Sequence, residues 1–319
     1  MPIRFTPSFL HLRCPALVAW LLAGLSLAAC DDGEKRHNHE HDAGVDAEDG
    51  NDAGGDAQDG DGMQEVAIAF AAAVGDETFD CESEYTGLGT SDSDVTFLDF
   101  RFYVHDVELV NADGDGVPVT LTQDGVWQYQ NLALLDFEND VGTCANGTSE
   151  TNATVRGTVP EGEYTGVRFK LGVPFDLNHE DASLAPSPLN LTTLFWSWNG
   201  GYKFARIDTL ADTGDGVNVV NFHLGSTGCN GSGPTDMPTE CTNLNVAAVE
   251  FEEFDASADT IVFDYAALVA GSDLETDGGG APGCMSGTSD PECAPMFERL
   301  GIDLASGEPA DGQTAFSVE

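Results

Sequence analysis

The sequence predicts an all-β protein, an antiparallel β-sandwich with a few short helical turns. Three observations favour this class: apolar and polar residues alternate in many short runs, Gly- and Asn-containing turn signals separate the runs, and helical periodicity is scarce. The alternation is clearest in 167–173 and 220–224, where every second residue is apolar. Such strands bury one face and expose the other.

The N-terminus has the pattern of a lipoprotein signal peptide, residues 1–29. Arg4 and Arg13 accompany an apolar run, Pro15 to Ala29, that is too short for a comfortable bilayer span. The run ends in LAAC, which is typical of a lipobox, so we expect cleavage before Cys30 and lipidation of Cys30. A plain secretory signal is the alternative, and it leaves the cysteine unexplained. The expected product is a membrane-anchored lipoprotein facing the periplasm or the cell surface, held by its lipid anchor only.

Residues 30–64 are predicted to be a disordered acidic tether, because the segment is dominated by Asp, Gly and Ala and has no apolar period. Its His37, His39 and His41 alternate with polar residues and form either a weak metal-binding tract or an ordinary solvated linker. The chain has a formal net charge of −45. Nucleic acid and anionic lipid surfaces are therefore not expected partners.

Residues 65–319 are predicted to form one domain, since no second low-complexity break interrupts them. In Thr96 to Val110 the apolar positions change parity, which predicts a bulge near His105. Asp113–Gly116 and Asp212–Gly216 are interpreted first as hairpin turns and second as calcium loops. The short helical turns are expected in the following segments: Tyr265 to Ala270 and Pro291 to Leu300.

Six cysteines remain in this domain, and an even number in an exported chain predicts disulfides. Cys229 and Cys241 bracket a short loop, as do Cys284 and Cys293, so local pairing is favoured and leaves Cys81 with Cys144. The alternative of thiolate ligands for zinc needs a reducing compartment and closer C-x-x-C spacing.

An enzyme is not expected, because nucleophilic triads, phosphate loops and dinucleotide fingerprints are not found in the sequence. Asp136 and Glu138 are a carboxylate pair of the kind that does acid–base chemistry. In so acidic a chain such pairs arise by chance, and we expect both on an exposed strand face.

The most informative segment is Phe195 to Tyr202, FWSWNGGY, which holds two of the four tryptophans. Read as a strand, it places Trp196 and Trp198 on one face. The domain keeps three histidines, His105, His179 and His223. A single histidine is most often a satisfied structural residue, but two of them near a double tryptophan favour a metal site.

Six segments together resemble the MbnP-like proteins, also called metallo-mystery pair system four-Cys motif proteins: DFRFYVHDVELV, WQYQNLALLDFE, GVRFKLGVPFDLNH, PLNLTTLFWSWNGGYKF, NFHLGSTGC and GCMSGTSDPEC. The resemblance extends from about Val66 to Gly301. It implies a secreted copper-binding protein paired with a diheme MauG or cytochrome c peroxidase-like protein (MbnH-like), which oxidises a tryptophan to kynurenine.

On this resemblance the modified residue is Trp196 or Trp198, with a preference for Trp196. The implied metal ligands are this kynurenine, His179, His223 and His105. The residues expected to orient the ligands or meet the haem partner are Asn178, Tyr202, Lys203, Arg206 and Asp208. The alternative function is a structural or adhesive cell-surface β-sandwich without a specific transition-metal site.

Overall fold

The computed structural model describes residues 62–145 and 147–319. The signal peptide, Cys30 and all of the tether up to residue 61 lie outside the described residues. The strands are β1 Met63–Val74, β2 Glu77–Thr78, β3 Glu84–Leu88, β4 Ser93–Asn111, β5 Gly116–Pro118, β6 Thr120–Leu121, β7 Gln128–Tyr129, β8 Leu132–Asp136, β9 Thr154–Pro160, β10 Tyr164–Leu171, β11 Phe195–Ser197, β12 Gly201–Tyr202, β13 Ala205–Asp212, β14 Val217–Leu224, β15 Thr227–Cys229, β16 Cys241–Asn243, β17 Ala247–Phe251, β18 Thr260–Asp264 and β19 Phe316–Val318. The helices are α1 Phe175–Asn178, a 3-10 turn at Thr192–Leu194, α2 Tyr265–Val269 and α3 Cys293–Arg299.

Two sheets pack face to face and confirm the predicted β-sandwich. The first has the order β19-β18-β1-β9-β6, with β2 paired to β1. The second has the order β14-β13-β4-β10-β17, with β3, β5 and β8 also paired to β4 and β7 to β8. The pairing of β1 with β18 is parallel, which departs from the all-antiparallel sheets that the sequence predicts.

Aromatic side chains fill the space between the sheets. Phe102 of β4 contacts Phe70, Phe263 and Phe316 of the opposite sheet, with ring centroids 5.1 to 6.3 Å apart. Most of these rings meet edge to face, which is the geometry that their quadrupoles favour. The core therefore lies on one face of β4.

β4 carries a second set of residues on its other face. Asp99 and Arg101 alternate with Phe100 and Phe102, so their side chains leave the core on the outer side of the nine-stranded sheet. The predicted bulge near His105 is confirmed: residues 105–108 of β4 lie opposite 168–170 of β10, and Asp106 adopts a φ of 49°. Both faces of β4 are buried from Asp99 to His105.

Irregular chain covers the outer side of the nine-stranded sheet, and we call residues 174–203 the covering loop. The Tyr103 hydroxyl donates to the Pro188 carbonyl at 3.0 Å, and the Tyr202 hydroxyl donates to the Leu189 carbonyl. This loop converts the outer face into a second buried layer, between sheet and loop.

The remaining local predictions agree with the structure. Hairpin turns occupy the segments between β4 and β5 and between β13 and β14, and α2 and α3 lie where short helices are expected. β1 begins at Met63, two residues before the predicted domain boundary at Glu65. Within residues 62–319, helices long and apolar enough to cross a bilayer are not found.

Candidate metal centre

The double-tryptophan segment leaves its strand between the two indoles. β11 ends at Ser197, and Trp198 begins the turn that leads to β12. The strand-based reason for placing both indoles on one face is therefore wrong, because alternation holds only while the chain stays extended. The turn depends on Gly201, whose φ is 72° and where a Cβ would come within 2.4 Å of the Asn178 side chain.

The Trp196 indole packs beside His223, with ring centroids 6.3 Å apart and planes tilted by 56°. It also lies directly over Gly225, where a Cβ would come within 2.5 Å of the indole Cζ3. The absence of a side chain at Gly225 thus brings the indole against β14. Trp196 itself is half-buried, so one edge of the ring faces solvent.

The two ring nitrogens of His223 have different surroundings, as is usual for a histidine that binds a metal. Its Nε2–H donates to Asp208 Oδ1 at 2.6 Å, and its buried Nδ1 has no hydrogen-bond partner within the part of the chain that the structure describes. Burial lowers the pKa of His223, against the raising effect of Asp208, which favours the neutral ring with its lone pair on Nδ1. A carboxylate that orients the far nitrogen of an imidazole is the usual support of a metal-bound histidine.

An open cavity of about 370 Å³ adjoins the indole, and we call it the indole cavity. It is lined by Trp196, Asn199, Gly200, residues 226–229 and Met285. Met285 is a site residue that the sequence reasoning missed. Its position is fixed because the neighbouring Cys284 pairs with β14: the His223 N–H donates to the Cys284 carbonyl at 2.9 Å, and the Cys284 N–H donates to Asn221 at 2.8 Å. A thioether is a soft ligand suited to Cu(I).

His179 lies at the other end of the double-tryptophan segment and is buried. Its Nδ1–H donates to the Trp198 carbonyl at 2.9 Å, so Nε2 carries the lone pair and accepts from the Asn178 amide at 3.2 Å. The same Nε2 lies 3.5 Å from Cys241 Sγ. Burial lowers the pKa of His179. His179 and His223 thus contact different tryptophans of the segment.

His105 occupies a separate cavity of about 270 Å³, which is mostly apolar. Both ring nitrogens are buried and have no hydrogen-bond partner in residues 62–145 and 147–319, although Nδ1 lies 3.2 Å from Asp106 Oδ2. Burial lowers the pKa of His105 to about 4. Ser226 lines this cavity as well as the indole cavity, so the two are neighbours across one residue.

The residues expected to orient the ligands all lie in this layer. The Asn178 side chain accepts from the Tyr202 N–H at 2.7 Å and so connects the two ends of the covering loop. Lys203 donates to the Thr193 carbonyl at 3.2 Å, and burial lowers its pKa to about 8. Arg206 donates to Asp208 Oδ2 at 2.7 Å, so Asp208 links an arginine to His223.

Further ion pairs extend from the Arg206–Asp208 contact across the sheet. We call the five residues involved the charged row: Asp208, Arg206, Asp99, Arg101 and Glu138. Arg206 lies 3.0 Å from Asp99, and Asp99 accepts from Arg101 Nε at 2.8 Å. Arg101 then lies 3.7 Å from Glu138. Asp99, Arg101 and Glu138 are at most 1% exposed. The row connects His223 to the opposite edge of the covered face.

The expectation that Asp136 and Glu138 lie on an exposed strand face is wrong, since neither has measurable exposure. Asp136 of β8 lies directly opposite Arg101 of β4 in the sheet, so both side chains lie on the face that the covering loop buries. Burial raises the pKa of Asp136 to about 8, opposed by Arg101 and assisted by Glu138. The pair belongs to a buried ionic cluster.

Three disulfides staple the domain and confirm the predicted pairing: Cys81–Cys144, Cys229–Cys241 and Cys284–Cys293. The last two flank the indole cavity. Cys229 lines its wall, and Cys284 precedes Met285.

The fold and the site define a β-sandwich protein with three disulfides, in which a cavity lined by a tryptophan and a methionine lies beside a buried histidine, outside the aromatic core. The chain belongs to the MbnP family, whose sequence model matches residues 63–286. It is also similar to the solved structure of MbnP from Methylosinus trichosporium, with 32% sequence identity and a TM-score of 0.72. The match covers 80% of this chain and 98% of that chain. A comparison with curated proteins gave no match.

Proposed function

We propose that this protein binds copper at the indole cavity, through Trp196 after its oxidation to kynurenine, His223 and Met285. The observation that carries the proposal is the buried Nδ1 of His223, which has no hydrogen-bond partner among residues 62–145 and 147–319 and belongs to a ring packed beside Trp196. A buried nitrogen without a hydrogen bond is costly, so its presence calls for a ligand. Membership of the MbnP family supports the same assignment.

The donors available around the cavity fit copper. Imidazole and thioether together suit Cu(I), and opening the indole adds an aromatic amine and a ketone oxygen. Copper held there would draw on the neutral lone pair of Nδ1, which needs no proton to leave. Asp208 fixes the ring through Nε2–H, and Arg206 fixes Asp208.

Trp196 is favoured over Trp198 as the oxidised residue. Trp196 lies against His223 and lines the cavity, whereas the contact of Trp198 with His179 is made by its backbone carbonyl. His179 and His105 remain candidate ligands from the resemblance, but each faces other groups: His179 faces a disulfide, and His105 faces the neighbouring cavity.

The oxidation is assigned to a diheme MauG or cytochrome c peroxidase-like partner (MbnH-like), which supplies the oxidising equivalents. The half-buried edge of Trp196 leaves the indole within reach of such a partner. The protein itself would act in copper acquisition or handling as a binding protein, without catalytic turnover. It would be anchored by lipid on Cys30 at the periplasmic or outer surface, which lipid labelling of the Cys30→Ser variant tests.

Co-expression with the diheme partner tests the central proposal. In the parent and in Trp198→Phe, peptide mapping of 194–202 should show that Trp196 has exchanged one indole carbon for oxygen. Both proteins should also bind copper. Trp196→Phe should lose modification and copper together. Met285→Leu should keep the modification and lose copper affinity. Modification confined to Trp198, or full copper binding by His223→Ala, would contradict the proposal.

A further inference from the structure

His179 and the Cys229–Cys241 disulfide form a cluster outside the three ligands proposed for copper, which are oxidised Trp196, His223 and Met285. The ligand atoms of these three residues all lie within 4.8 Å of one another. The two cysteines are direct cross-strand partners in the β15–β16 pair. Residues opposite each other in a ladder project their side chains to the same face. Both sulfurs therefore stay beside His179 when the bond between them is open.

The imidazole of His179 is already oriented towards the sulfurs. Its Nδ1–H is held by the Trp198 carbonyl, which leaves the lone pair of Nε2 directed to the side of Cys241. The Asn178 amide also donates to Nε2, but it has a second acceptor in Ser226 Oγ at 3.3 Å. If Nε2 binds a metal, the Asn178 amide loses its hydrogen bond to Nε2 but keeps the one to Ser226 Oγ, so the cost is one hydrogen bond.

This disulfide is the accessible one among the three in residues 62–319. Cys229 and Cys241 are partly exposed, at the base of an exposed loop, 230–240. The other four cysteines are at most 2% exposed: Cys81, Cys144, Cys284 and Cys293. A reductant in solution attacks a disulfide sulfur directly, so exposure selects the Cys229–Cys241 bond.

We propose that reduction of Cys229–Cys241 by a dithiol creates a second metal site, in which two thiolates and His179 bind a thiophilic d10 cation such as Zn²⁺ or Cu⁺. The dithiol gives two electrons and two protons: its own S–S bond forms, the Cys229–Cys241 bond breaks, and both sulfurs become thiols. Binding of the cation then releases these two protons. A Cys₂His set is a normal ligand set for zinc and leaves one position for water.

The site goes beyond the proposed copper function, because it needs no oxidised tryptophan and uses none of His223, Met285 or Asp208. Cys229 also lines the indole cavity, so the two sites are adjacent. In the oxidised chain the sulfurs are bonded to each other and hold no cation. The disulfide therefore prevents metal binding at this site until it is reduced, although His179 is already in position.

Metal titration of the full mature chain, made without the diheme partner so that its tryptophans stay intact, tests the proposal. The tether histidines are replaced in every sample (His37→Ala, His39→Ala, His41→Ala), so that any cation binding by this His-rich tract does not contribute to the titration. A dithiol is applied and then removed by gel filtration without oxygen. Thiol counting should give two free thiols per chain, and Zn²⁺ should bind at one equivalent, at least about tenfold tighter than to the oxidised chain.

Two variants define the ligands. Cys229→Ser with Cys241→Ser should keep the near-ultraviolet circular dichroism of the parent and lose the zinc gain. His179→Gln should keep both thiols, weaken zinc binding and change the thiolate-to-metal absorption of the Co²⁺ form. Equal zinc binding before and after reduction, or a gain unaffected by these variants, would overturn the proposal. Loss of the native signal in the reduced chain would overturn it as well, since the site requires folded His179.

Discussion

Replacing Asp136 by Asn should change how the stability of the domain depends on pH. Asp136 has no measurable exposure, and among the described residues neither of its carboxyl oxygens has a hydrogen-bond partner. Burial raises its pKa from 3.8 to about 8, with Glu138 and Asp99 adding to the effect and Arg101 opposing it. Between pH 3.8 and about 8, Asp136 is protonated in the folded chain and ionised in the unfolded chain.

The direction and size of the effect follow from proton linkage. Unfolding releases this proton between about pH 4 and 8, so the contribution of Asp136 to the free energy of unfolding falls by about 1.4 kcal/mol for each pH unit. The contribution is complete below about pH 4 and is lost as the pH rises through about 8. From pH 5 to pH 7 the loss amounts to about 3 kcal/mol. Asn carries no such proton, so Asp136→Asn lacks this loss.

Urea unfolding at pH 5, 6 and 7, with the disulfides intact, measures the difference. The free energy of unfolding of Asp136→Asn should gain on the parent by about 1.4 kcal/mol at each step. Asp113→Asn, in the exposed turn after β4, is the matched control and should run parallel to the parent. Parallel curves for Asp136→Asn would refute the reasoning, because they would mean that the folded carboxyl is ionised like an ordinary aspartate.

Two further predictions concern the indole cavity. Gly225→Ala places a Cβ within 2.5 Å of the Trp196 ring, so it should lower the free energy of unfolding by about 1–3 kcal/mol, measured by urea unfolding, and reduce indole oxidation in the partner co-expression. Gly216→Ala, where the space is open, is its control, and equal stability of the two variants would contradict the packing argument. Asp208→Asn should weaken copper binding about 10- to 100-fold in a competition assay with a chelator, because His223 loses the carboxylate that orients it; unchanged affinity would remove Asp208 from the site.

The strands, turns and disulfides were predictable because their signals are local. Alternation in 220–224 identifies β14, and the parity change in β4 locates the bulge at Asp106. Cys229 and Cys241 are separated by only 12 positions, which favours their pairing over distant ones. The WSW segment and the order of six motifs also predict the family, which the match of the family sequence model confirms.

The composition of the site was less predictable because it depends on long-range contacts. Met285 follows a cysteine in an irregular segment, and only the pairing of Cys284 with β14 shows that it lines the cavity with Trp196. Asp136 is buried because Arg101, from another strand, is its cross-strand partner. Neither contact leaves a periodic pattern in the sequence. The reason for placing Trp198 on the face of Trp196 fails in the opposite way, because a local rule is extended past Ser197, where the strand ends.

The burial of both faces of β4 restricts which changes in its sequence the fold tolerates during evolution. Between Asp99 and His105, one face supplies phenylalanines to the core and the other supplies the charges behind His223. Substitution can alter these layers one side chain at a time. Insertion or deletion of a single residue would exchange the layers, moving carboxylates into the aromatic core and phenylalanines against the covering loop. The number of residues in this stretch is therefore under tighter constraint than the identity of any one of them.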